Sequence, residues 1–143
     1  MFSSYFRMPS TDGQFLSLMM ALEALIVPLP FEGAVADAVA STLDYVRNLD
    51  LDRSARDSLA ARVKHLGEES IGQAGKRVAL GLGDRQYGGR EAPSFFTYCY
   101  RMRSAIVHGS KDRPDLAELH AATAALLPFT RDLIEVHVLG RAS

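Results

Sequence analysis

The sequence predicts an all-α fold, a bundle of about five helices in a single domain over residues 1–143. Three observations carry that prediction. Apolar side chains recur every three or four residues in several stretches, the period of a helix laid on a core. Acidic residues and prolines punctuate the ends of those stretches, as N-caps and helix stops do. No run of alternating apolar and polar residues marks a strand. With 143 residues, 48% of them hydrophobic, the chain can build one core of ordinary size and is short for two domains.

Residues 1–11 follow no period and read as an irregular lead-in. Asp12 suits an N-cap, so the first helix is expected from there to about Val27, where Pro28 and Pro30 stop it. Its apolar residues go nearly all the way round, which predicts a central helix with Glu23 as the polar group among Leu16, Met19, Met20, Ile26 and Val27. A buried carboxylate needs a partner. Arg101 and Arg103 are the candidates, and the alternative is that Glu23 reaches solvent at the helix edge. A second helix is expected over Phe31 to Asn48, with Val35, Val39, Leu43 and Val46 as its stripe. A third, capped by Asp52, runs to Leu66 with Leu59, Val63 and Leu66 inward. Seven of the eleven glycines lie between Gly67 and Gly89, so residues 67–92 are expected to be flexible: a broken helix around Ile71 to Leu82, then a loop.

Those glycines do not build a nucleotide cradle. Gly72-Gln-Ala-Gly-Lys-Arg77 lacks the spacing of a phosphate loop and the Ser or Thr that follows its lysine. Gly81-Leu-Gly-Asp-Arg-Gln-Tyr-Gly-Gly89 likewise breaks the dinucleotide spacing.

The stretch from Pro93 to His108 predicts a helix with two stripes. Phe95, Cys99, Met102 and Ile106 form the apolar one; Thr97, Arg101, Ser104 and His108 form a polar one at the same spacing. Gly109 suits the left-handed residue that closes a helix, which puts His108 at the negative end of the helix dipole. Imidazole there can give and take protons, and a guanidinium beside it can hold a phosphate through two parallel hydrogen bonds. The pair points to phosphate chemistry. Ser110 to Pro114 reads as a turn. A last helix from about Asp115 carries Ala122, Leu126, Phe129, Leu133 and Val136, with Pro128 expected to kink or break it.

Net charge is −1, so no global field draws the chain to nucleic acid or membrane. The distribution is less even. From Arg85 to Arg113 there are six basic residues against two acidic ones, leaving ten basic and fifteen acidic for the rest. Such a patch fits a phosphate-bearing ligand, and ordinary solvated surface charge explains the count equally well. The single Cys99 excludes an internal disulfide and a multi-cysteine zinc site, and its place on the apolar stripe predicts a buried, inert thiol. The apolar run from Phe15 to Val27 is shorter than the ~20 residues that span a bilayer, and no secretory signal is evident, so a cytoplasmic location is expected. His65, His120 and His137 lie on different elements with no metal-binding spacing.

The string Tyr100-Arg-Met-Arg-Ser-Ala-Ile-Val-His-Gly109, with Phe15-Leu-Ser-Leu-Met-Met-Ala-Leu-Glu-Ala-Leu25 upstream, resembles the HEPN superfamily, and most its Apea-like branch. The resemblance runs from about Phe15 to Val138. The superfamily motif is an arginine, four to six residues, then a histidine; Arg103 matches with four intervening residues and Arg101 with six. The resemblance implies a helical domain, a homodimer with the site where two protomers meet, and an endoribonuclease needing no metal or cofactor. Where many nuclease members carry Asn, Asp or His after the arginine, this chain has Ser104. After His108 come Gly109 and Ser110, without the tyrosine of members modified by a nucleotidyltransferase partner.

Two functions follow. The first is cleavage of single-stranded RNA, with His108 as acid or base on the ribose 2′-hydroxyl or the leaving 5′-oxygen, and an arginine, Arg103 first and Arg101 second, stabilising the phosphorus oxygens. Ser104 completes that catalytic set, with Glu23 and Tyr100 supporting it. DNA, lacking the 2′-hydroxyl, would be inert. Similar proteins act as toxins or phage-defence effectors, with an antitoxin or other partner protein. The second is a non-catalytic helical module for RNA binding or dimerisation, in which Arg103 pairs with Glu23 and His108 only caps its helix. Residues five apart lie about 140° apart round a helix, while Arg101 and His108, seven apart, are nearly aligned. Tyr98 and Tyr100 could stack on bases or pack into the core.

Overall fold

A computed structural model describes residues 10–140. The chain divides into two compact units, one of residues up to Ile26 together with Gly75 onward, the other Val27–Ala74. The fold is all-α, as expected: among the described residues there are six α-helices and one very short hairpin. No helix among them is long and apolar enough to cross a membrane.

In the first unit, α1 (Thr11–Leu25), α5 (Ala92–His108) and α6 (Leu116–Ile134) pack together. The α1 cap is Ser10, not Asp12: its hydroxyl accepts from the Gly13 N–H at 3.1 Å. The other nine residues of the expected lead-in lie outside the described residues. The expectation of a helix buried all round is corrected. Phe15, Met19, Leu22 and, just past the end, Ile26 form a single buried stripe, while Met20 and Val27 are each 67% exposed. Composition is apolar around α1, but α5 and α6 cover one side of it.

Three buried rings knit the far end of this unit. Tyr87 meets Phe129 edge-on at 5.0 Å, and Phe95 lies 5.3 Å from Phe129. Such pairs add about 0.5–1.5 kcal/mol beyond the area they bury. Tyr87 comes from a hairpin where the sequence predicts only a loop. In it β1 (Gln86–Tyr87) pairs antiparallel with β2 (Arg90–Glu91). Gly88 and Gly89 turn the corner with φ of 55° and 73°, the two positive values that a tight primed turn requires. Two-residue strands are too short to show alternation.

Ahead of the hairpin, α4 (Ile71–Leu80) occupies the stretch expected to be a broken helix. Gly75 has a packing reason: a Cβ there would lie 2.0 Å from the ring of buried Phe96. At the other end, α6 runs through Pro128 without a break, leaving the Ala124 carbonyl without its i+4 donor, and passes into a π-helical turn, Glu135–Leu139.

In the second unit, α2 (Ala34–Arg47) packs on α3 (Arg53–His65). Asp52 caps α3, accepting from the Ala55 N–H at 3.0 Å, as expected. Val46 and Val63 are buried, but Leu59, Val35 and Leu66 are exposed, against the expected inward stripes. Between two packed helices only the facing line of side chains is covered, and Leu66 already lies beyond the last turn of α3.

Candidate active site

The polar stripe of α5 opens onto solvent. Pro93 in its first turn has the fixed φ that starts a helix, and Phe95, Phe96, Cys99 and Met102 are buried beneath it. Cys99 is fully buried, and desolvation pushes its thiol up to about 12, so it is inert, as expected. Anchoring one face fixes the other.

The C-terminus of α5 closes in a Schellman motif. Gly109 is left-handed at φ 62°, its N–H donates to the Ile106 carbonyl at 3.4 Å, and the Ser110 N–H donates to Ala105 at 3.0 Å. The chain turns at once: the Ser110 hydroxyl accepts from Asp112 N–H, Arg113 pairs with Asp12 at the start of α1, and Asp115 begins α6. Asp115 and Glu118 form a reciprocal capping box, with bonds of 2.8 and 3.2 Å. The wall so formed stands opposite the end of α5.

Between them lies an open groove of about 430 Å³, lined among others by Tyr98, Arg101, Ser104, His108, Asp112 and Glu118. His108 and Arg101 are both exposed there. The seven-residue spacing brings them to one side of the helix, about 10 Å apart along the axis. Asp112 and Glu118 make the groove mixed in charge, although the Glu118 carboxylate already accepts from the Asp115 N–H.

Arg103 goes elsewhere. Its Nε lies 3.1 Å from Glu23 Oε1, an ion pair with both side chains partly buried. The contact is one of charge, because the N–H is not aimed at the oxygen and Oε1 has no aligned donor. Of the two partners expected for Glu23, Arg103 is the one in contact, and Arg103 does not line the groove. Tyr100 also turns away, its ring stacked on Phe96 at 5.8 Å. Tyr98 stays at the groove, with the Arg90 guanidinium 3.9 Å above its ring. Burial raises the Tyr98 hydroxyl above its ordinary value, and Arg90 works against that rise.

A second depression, about 500 Å³, adjoins the first and shares Tyr98 and Arg101 with it; Lys76, Arg90, Pro93, Ser94 and Thr97 complete its lining. Arg90 belongs to the basic patch visible in the sequence, but Lys76 lies outside that patch. No spacing rule links a residue on α4 to one on α5; only the fold does. The remaining histidines serve structure: His120 Nε2 meets Thr11 Oγ1 at 2.7 Å, and His137 Nε2 meets the Val78 carbonyl at 2.7 Å. His65 sits beside Glu68 on the second unit.

Comparisons with protein-family models, with curated proteins and with solved structures found no match.

Proposed function

We propose that the groove beside His108 is the active site of a metal-independent endoribonuclease of the HEPN type, acting on single-stranded RNA. The observation that carries the reading is that His108, Arg101 and Ser104 open onto one groove while Arg103 is held by Glu23. In the proposed reaction His108 takes the proton of a ribose 2′-hydroxyl, and O2′ attacks phosphorus. The bond to the 5′-oxygen breaks, that oxygen takes a proton from water, and a 2′,3′-cyclic phosphate remains. A positioned base of this kind contributes about 10²–10⁴-fold. Arg101 supplies the fixed charge on the phosphorus oxygens, and Ser104 a hydroxyl beside them. Arg103 acts at one remove, tying α5 to α1 through Glu23. A homodimer and a role as toxin or phage-defence effector belong to the same reading through the resemblance, and a cytoplasmic setting through the absence of an evident secretory signal.

A non-catalytic RNA-binding or dimerisation module is the second reading. Asp112 and Glu118 favour it, since carboxylates in a groove repel phosphate, and so does the Arg103–Glu23 pair, which this reading expects. Incubating the protein in EDTA with an RNA strand, and with the same strand carrying 2′-O-methyl groups, separates the two. Cleavage of the unmodified strand alone, leaving cyclic phosphate ends, supports the nuclease; binding of both without cleavage favours the module.

A further inference from the structure

The depression beside the groove differs from it in charge. Lys76 from α4, Arg90 from β2 and Arg101 from α5 converge on it, and no carboxylate lines it. None of the three is ion-paired with a carboxylate among the described residues, whereas Arg85, Arg103, Arg113 and Arg131 all are. Arg90 is nevertheless fixed in place, over Tyr98 at 3.9 Å and with its Nη1 donating to the Gly88 carbonyl at 3.2 Å. Ser94 and Thr97 line the same side, the Thr97 hydroxyl donating to the Pro93 carbonyl at 3.0 Å. The first turn of α5 has no side-chain cap, so the positive end of its dipole adds to the field there.

We propose that this Lys76–Arg90–Arg101 pocket holds a backbone phosphate of a single-stranded RNA, next to the phosphate that lies in the His108 groove. The inference rests on the reading of that groove as an RNA site and gives the strand its path. Arg101 belongs to both depressions, so adjacent phosphates share it. From Thr97 to His108 the stripe rises about 16 Å along α5, a span for several linked phosphates instead of one free anion. The division of labour follows from the charges. The carboxylate-free pocket supplies affinity, and the groove with His108 supplies chemistry. A basic track that binds without reading bases is how single strands are held where sequence is not recognised.

The test uses the full chain and a single-stranded RNA carrying 2′-O-methyl groups, which has the phosphates but no free 2′-hydroxyl to cleave, with affinity followed by fluorescence anisotropy across a salt series. Removing one cation that neutralises a phosphate of a single strand makes the slope of log K on log salt shallower by about 0.7. Lys76→Ala and Arg90→Gln are each expected to show that change, and Lys76→Glu a larger one. Arg53→Ala, on the exposed face of α3 and paired with Asp57, serves as the control and should leave the slope unaltered. Lys76 is exposed on its helix, so its variants keep the fold. Slopes equal to wild type in the Lys76 and Arg90 variants would overturn the proposal, as would failure of the wild type to bind the strand. Cleavage of RNA with unchanged slopes would sink this pocket and leave the nuclease; altered slopes without cleavage would do the reverse.

Discussion

Arg103 and Glu23 face each other across α5 and α1, Nε 3.1 Å from Oε1, and Arg101, not Arg103, lines the groove with His108. Arg103 and Glu23 are partly exposed, with 32% and 21% of their side chains accessible, so the pair contributes at most about 1 kcal/mol. A double-mutant cycle of Glu23→Gln and Arg103→Met, followed by urea unfolding, should return a coupling energy of that size. Strict additivity would show that the contact does not hold α5 to α1.

A second pairing gives the fold a pH dependence. Tyr87 donates to Asp132 Oδ2 at 2.7 Å. That hydrogen bond, with help from Arg131 and Arg85, holds the carboxyl below its ordinary value of 3.8. A carboxyl depressed in the folded state contributes stability above its unfolded value and loses it as pH falls through the folded one. The stability difference between wild type and Asp132→Asn should therefore be constant from pH 7 down to about 5 and shrink below about 4. A difference that stayed the same from pH 7 through the whole acid range would contradict this.

Gly75 lets α4 close on Phe96. Alanine raises helix propensity by about 0.5–1 kcal/mol at an ordinary helical glycine. Here its Cβ would enter the Phe96 ring, and overpacking of a core costs about 1–3 kcal/mol. Gly75→Ala should lower Tm, and Gly75→Ala combined with Phe96→Leu should recover part of the loss relative to Phe96→Leu alone. An unchanged or raised Tm in the single variant would mean that the ring yields freely.

The capping box at the start of α6 sets the wall of the groove. Asp115→Ala removes one of its two side-chain bonds and should cost about 1 kcal/mol, measured by urea unfolding. Loss of less than a few tenths would assign the turn's geometry to Pro114 and the Arg113–Asp12 pair instead.

Helix type, the acid cap at Asp52, the start of the last helix near Asp115, the Gly109 stop and the buried Cys99 were legible in the sequence, because caps and stripes are local and obey fixed spacings. At α1 the cap is Ser10 and not Asp12, two residues apart and both cap formers. What a helix buries was less so. The apolar girth of α1 cannot reveal that only Phe15, Met19 and Leu22 are buried within it, and the stripe through Leu59 and Leu66 cannot reveal that both are exposed. The Gly88-Gly89 hairpin escaped because its strands are shorter than any period. At the candidate site, the alignment of Arg101 with His108 followed from helix geometry, and the Arg103–Glu23 pair stood among the alternatives for Glu23. Lys76 could not be found, since its place beside Arg101 is made by tertiary packing.

The most direct measurement is the rate of RNA cleavage in EDTA by wild type, His108→Ala, Arg101→Ala and Arg103→Ala, each checked for folding. His108→Ala should not cleave, Arg101→Ala should lose about 10²-fold or more at unchanged stability, and Arg103→Ala should show a smaller loss that follows its stability. Equal rates in wild type and His108→Ala, or a greater loss with Arg103→Ala than with Arg101→Ala in folded protein, would contradict the proposed function.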